Sequence, residues 1–105
     1  PDISIHRAAG EDNNEAVKAH IAAGTDLNAK DDNGWMPLHW AALRSNSKLV
    51  ELLIAGGADI NAKADDGKTP LDFAESGGTS TGKRNVVILR KHGAKTAEEL
   101  KAAGN

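Results

Sequence analysis

Cysteine is absent from the chain, which excludes disulfides and thiolate metal sites. The absence leaves the compartment open, because cysteine-free proteins occur in all of them. Aromatic residues make up only 3% and apolar residues 39%, little for one large core. No apolar run approaches the roughly 18 residues of a membrane helix. Neither sign of charge dominates, for the net charge is −2. A general attraction to nucleic acid or to an anionic membrane is therefore not expected. The first residue is Pro1 and not methionine, as expected of a chain trimmed at its start.

What the chain does have is alanine, leucine and 11 glycines over 105 residues, a length for one domain. That mixture suits a thin core drawn out along a stack. Self-similarity points the same way. Asn28-Ala29-Lys30 returns as Asn61-Ala62-Lys63, a step of 33. The same step carries Gly24 to Gly57, Leu27 to Ile60, Gly34 to Gly67, Pro37 to Pro70 and Leu38 to Leu71. Backwards, Leu38-His39-Trp40-Ala41-Ala42 falls on Ile5-His6-Arg7-Ala8-Ala9. A third copy opens on Leu71-Asp72-Phe73-Ala74-Glu75, then takes three extra residues before Val86 and Leu89 resume the pattern.

Each period reads as a turn and two short helices. Asp32-Asn33-Gly34 and Asp65-Asp66-Gly67 are turn chemistry: short polar side chains that bond their own backbone, then a glycine free to take positive φ. Pro37 and Pro70 follow at the first turn of a helix, where an N–H is not needed. Ala41-Ala42 let neighbouring helices approach closely. Lys48 to Ala55 is the second helix, with Leu49, Val50, Leu53 and Ile54 at helical spacing, and Gly56-Gly57 stops it.

Met36-Pro37-Leu38-His39-Trp40-Ala41-Ala42 and Gly57-Ala58-Asp59-Ile60-Asn61, within this period, resemble the ankyrin repeat and its Thr-Pro-Leu-His-x-Ala signature. Thr69-Pro70-Leu71-Asp72 is a copy with Asp in place of His, and Met36 replaces Thr. The resemblance covers residues 2 to about 95. It implies an all-α ankyrin-repeat solenoid of helix-turn-helix repeats joined by β-turn or hairpin-like fingers, with a concave surface that binds proteins. One domain, 1–105, then divides into repeat one (about 2–30), repeat two (about 31–63), repeat three (about 64–95) and a C-terminal capping helix (about 96–103).

End repeats need a polar outer side. His20 stands where repeat two has Leu53, Ala16 and Ala19 where it has leucines, and Arg90 where it has Ile54. Thr96-Ala97-Glu98-Glu99 is a capping box. Its helix is expected to cover the last repeat, so that the chain is complete as a folding unit.

Several motifs imitate chemistry. Gly77-Gly78-Thr79-Ser80-Thr81-Gly82-Lys83-Arg84 matches Gly-x4-Gly-Lys but offers Arg84 where a phosphate loop needs Ser or Thr. It also follows a helix and not a buried strand, and reads as a flexible loop from Gly77 to Lys83. His6, His39 and Asp72 recur at one repeat position and formally make a metal ladder; the resemblance instead gives both histidines the task of bracing a turn. Asp31-Asp32 and Asp65-Asp66 lack the alternate ligands and closing glutamate of a calcium loop, and read as solvated turn tips. No catalytic triad or nucleophile elbow is present, so neither an enzyme nor a cofactor is expected.

Trp35 follows the turn glycine, at a position that in this family points toward the ligand. It aligns with Lys68, from which the fold is expected not to need an aromatic there. Trp40 aligns with Phe73 and Arg7, on the first helix of each repeat, and is expected to pack between repeats. Leu43 and Arg44 differ from their counterparts and are expected to line the concave face. The resemblance thus implies a contact surface of Lys30, Asp32, Asn33, Trp35, Leu43, Arg44, Asp65, Asp66 and Lys68. The partner expected is a protein, bound by a monomer, with no nucleic acid, membrane or metal involved. The alternative is a spacer or scaffold domain that binds nothing.

Overall fold

A computed structural model describes residues 3–44, 46–76 and 80–104. Among them run seven helices and no strand: α1 (Ile5–Gly10), α2 (Asn14–Ala22), α3 (Pro37–Ala42), α4 (Ser47–Ala55), α5 (Pro70–Ser76), α6 (Ser80–Lys91) and α7 (Ala97–Ala102). The first six pack as hairpins, α1 on α2, α3 on α4 and α5 on α6. Hairpins then stack in two rows, α1-α3-α5 beside the fingers and α2-α4-α6 outside. The fold is the helical repeat stack that the period implied.

Local chemistry sets the starts. Ser4 and Asn13 accept the Arg7 and Ala16 N–H groups at 3.0 Å, and Asn46 accepts that of Leu49 at 3.2 Å. Each satisfies an orphan donor of a helix N-terminus. Pro37 and Pro70 are the first residues of α3 and α5. Met36 has no hydroxyl to cap α3, but its N–H still finds a partner in His39 Nδ1 at 3.2 Å. In α5 the signature threonine is present, and Asp72 takes over the histidine's part by accepting the Thr69 N–H at 3.0 Å.

Leu38, Leu49, Leu53, Leu71, Leu89, Val17 and Val50 form the fully buried spine, with Ala8, Ala9, Ala41 and Ala74 between them. Val86 and Leu89 rejoin the pattern as expected, half-buried and buried. One polar side chain lies among them. Asn85, in the place of Leu49, is fully buried and donates to the Ala42 and Arg44 carbonyls at 3.2 and 2.8 Å. It thereby satisfies free carbonyls at the C-terminal end of α3.

Three expectations change. His20 is no solvated end-cap residue: it is buried, with Nε2 2.6 Å from the Ile3 carbonyl and Nδ1 2.8 Å from Thr25 Oγ1. Its ring ties the segment before α1 to the end of α2, which leucine could not do. The loop expected from Gly77 to Lys83 is contradicted over Ser80 to Lys83. Gly77, Gly78 and Thr79 lie outside the described residues, but Ser80 to Lys83 are already helical in α6. Nothing there breaks a helix whose register is held further on by buried Asn85 and Leu89. Lastly, α7 buries none of its residues. Its attachment is polar: Ala97 N–H reaches Asp72 Oδ2 at 3.0 Å, and Arg90 reaches Glu99 at 2.6 Å. Arg90 holds the Glu99 carboxyl down to about 2.

His39 joins the rows to the fingers. It is fully buried, and Nε2 donates to the Lys68 carbonyl at 2.9 Å while Nδ1 accepts from Met36. This pattern requires the neutral ring, since a second proton would face the Met36 N–H. Burial pushes its pKa below 6.5, against the opposing pull of the Lys68 carbonyl and Asp66. The unfolded chain therefore takes up this proton first as pH falls. Stability is unaffected by His39 well above pH 6.5 and drops through the window below it. Urea midpoints measured from about pH 8 to about pH 5 should fall on the acid side, and His39→Gln should remove part of that slope.

Candidate functional site

Two fingers project beside the inner row. In the first, Asp31 N–H donates to the Trp35 carbonyl at 2.9 Å, and Gly34 N–H to the Asp31 carbonyl at 2.9 Å. In the second, Ala64 N–H reaches Lys68 and Gly67 N–H reaches Ala64, both at 2.8 Å. These are hairpin-like closures. Asp65 N–H then bonds the Gly34 carbonyl at 3.2 Å, so the fingers support each other. Gly34 has φ +75°, and a Cβ on it would lie 2.0 Å from Asp65 Cγ. The close approach of the fingers thus depends on a missing side chain.

Asp31 is not a solvated turn tip. It is half-buried; its Oδ1 accepts the Asn33 and Trp35 N–H groups at 2.9 and 3.0 Å, and its Oδ2 accepts the Trp40 indole N–H at 2.7 Å. Burial works to raise its pKa, but those donors outweigh it and hold the carboxyl below its ordinary range. The repeat explains the choice of residue. One step on, Trp40 becomes Phe73, which has no N–H, and Asp31 becomes Ala64, which is buried. An indole donor and its acceptor appear and vanish together.

Trp35 does not stand free of the fold. It is half-buried, its ring centroid 4.5 Å from that of Trp40 and 4.6 Å from that of Phe73, the latter edge to face. Trp40 and Phe73 pack between repeats as expected, and Trp35 completes the group. Lys68 needs no aromatic partner because it is exposed, with no aromatic of a following repeat to lie on.

The other residues of the expected contact surface are exposed. Lys30 Nζ lies 3.3 Å from Asp65 Oδ1, a solvated pair of little energetic weight. Asp66 Oδ1 accepts the Lys68 N–H at 3.0 Å. Asp32, Asn33, Arg44 and Lys68 make no side-chain hydrogen bond among the described residues, and Leu43 is a large apolar residue 42% exposed. Asp32 and Asn33 share a cleft with α1, formed with Arg7, Gly10, Glu11 and Trp40. Leu43 and Arg44 stand outside it, just beyond α3. Arg7 and Glu11, paired at 2.9 Å, belong to this face and were not singled out from the sequence. Their repeat equivalence to Trp40 and Arg44 was the available signal. His6 Nε2 is 2.6 Å from the Ala29 carbonyl and His39 Nε2 bonds Lys68, so each recurring histidine braces backbone.

Among the described residues no helix is long and apolar enough to cross a membrane. No curated protein matches the chain. A family model for ankyrin repeats, in three copies, matches residues 5–97. Ankyrin repeats are in general modules of protein–protein interaction, a non-catalytic fold. With 33-residue periods, two helical rows and stacked fingers matched over nearly its whole length, this chain belongs to the ankyrin-repeat family.

Proposed function

We propose that the chain binds a partner protein through its fingers and the inner helical row, with Lys30, Asp32, Asn33, Leu43, Arg44, Asp65, Asp66 and Lys68 in contact and Trp35 contributing its exposed part. The observation that carries this reading is a division of labour within each finger. Backbone groups are locked to one another, while Asp32, Asn33 and Lys68 leave their side chains uncommitted among the described residues, as Leu43 and Arg44 do just beyond α3. A rigid backbone presenting free side chains loses little ordering entropy on docking.

The test is selection of a binder from displayed natural protein fragments. The selected fragment is then titrated against parent and a variant carrying Asp32→Asn, Leu43→Ala, Arg44→Ala and Lys68→Ala. Melting should be nearly unchanged and affinity at least about tenfold lower. Equal affinity would move the contact face elsewhere. A parent that selects no fragment would favour the spacer reading.

A further inference from the structure

The cleft between α1 and the first finger has a volume of about 440 Å³, within the range of pockets that hold a side chain or small ligand. Gly10 lines it, where repeat two carries Leu43. A Cβ on Gly10 would already be in van der Waals contact with Trp40 Cε3 at 3.4 Å, so a long side chain there would extend along this wall of the cleft. The indole of Trp40 forms a wall, and Glu11, Asp31 and Asp32 place three carboxylates around it against one guanidinium, Arg7. Arg7 is engaged with Glu11 at 2.9 Å. Asp31 faces the indole N–H at 2.7 Å. Asp32 has no side-chain hydrogen bond among the described residues and is exposed.

We propose that this cleft is a subsite for an arginine side chain of a bound peptide segment, with the guanidinium against the Trp40 indole and bonded to Asp32. The proposal rests on the protein-binding reading above and adds the chemistry of the partner. An indole beside fixed negative charge attracts a cation. A guanidinium has flat faces that stack on an aromatic and a fork of donors that fits one carboxylate. Lysine offers the charge without the plane or the fork. An anionic side chain would meet three carboxylates against the single guanidinium of Arg7, and a neutral one would gain no charge attraction.

The probe is N-acetyl-arginine N-methylamide, titrated into the protein while the two indole N–H signals are followed by NMR, with Trp35→Phe to assign them. The Trp40 signal should move and saturate with a dissociation constant of roughly a millimolar. The lysine counterpart should bind at least about threefold more weakly, and the neutral citrulline counterpart should leave the signal in place. Asp32→Asn should weaken the arginine probe by about threefold or more without altering melting, and Gly10→Leu should close the subsite. A Trp40 signal that does not move, or equal binding of citrulline and arginine, overturns the proposal. So does unchanged affinity in both variants. The two readings fail separately. A selected protein fragment that keeps its affinity for Gly10→Leu leaves the binding module standing and removes the subsite. An arginine probe that binds a parent with no protein partner does the reverse.

Discussion

Leu53→Ala should lower stability by about 2–5 kcal/mol, the lost transfer energy of a buried leucine plus the cavity it leaves. Leu53 is fully buried on α4, the helix that packs against both α2 and α6. Its loss therefore strikes the central hairpin at its junction with both neighbours. Total stability for a chain of this size is roughly 5–15 kcal/mol, so the variant forfeits a large share. Calorimetry should show a melting point lower by about 10 °C or more. A fall of one or two degrees would mean that the outer row does not depend on this side chain.

Trp35→Ala should also destabilise the fold, by about 2 kcal/mol, less than the 3–5 kcal/mol of a fully buried aromatic because the ring is only half-buried. The loss comes from packing against Trp40 and Phe73 at 4.5 and 4.6 Å. Phe73 lies in the following repeat, so part of the loss falls on the junction between repeats. Trp35→Phe should recover much of it, since a ring in that place keeps the edge contact. Unchanged urea midpoints for Trp35→Ala would show the ring to be free of the fold after all. In binding measurements this variant must be corrected for its lower stability, whereas Asp32→Asn need not be.

The helical stack was legible because its determinants are local and periodic. Pro37 and Pro70 begin helices, and Leu49, Val50 and Leu53 are buried as their spacing implied. What escaped depended on closure in space. Asp31 looks like any turn aspartate until the finger folds back and brings it to Trp40 Nε1, nine residues away. The signal was present as a paired difference between copies, Asp31 with Trp40 and Ala64 with Phe73, but no single copy displays it. His20 was misjudged because polarity was equated with exposure, although an imidazole has two nitrogens that can satisfy buried partners. Trp35 was misjudged by its alignment with Lys68, which compared side chains and not what lies above them. For the candidate face, the exposed charged residues of the fingers were readable as turn chemistry. The cleft was not, because it forms only where α1, the first finger and Trp40 meet in space.

The bond from Trp40 to Asp31 also decides where this chain can be cut and rejoined. Both residues lie inside the segment 31–63, so a graft bounded there carries the indole and its acceptor together into a new array. A graft that begins at Pro37, where the helix starts, separates them. It would bring an indole N–H to a host finger, and a host with alanine at that place, like Ala64 here, would have no acceptor for it. For recombination the natural unit of this protein therefore begins at the finger and not at the helix.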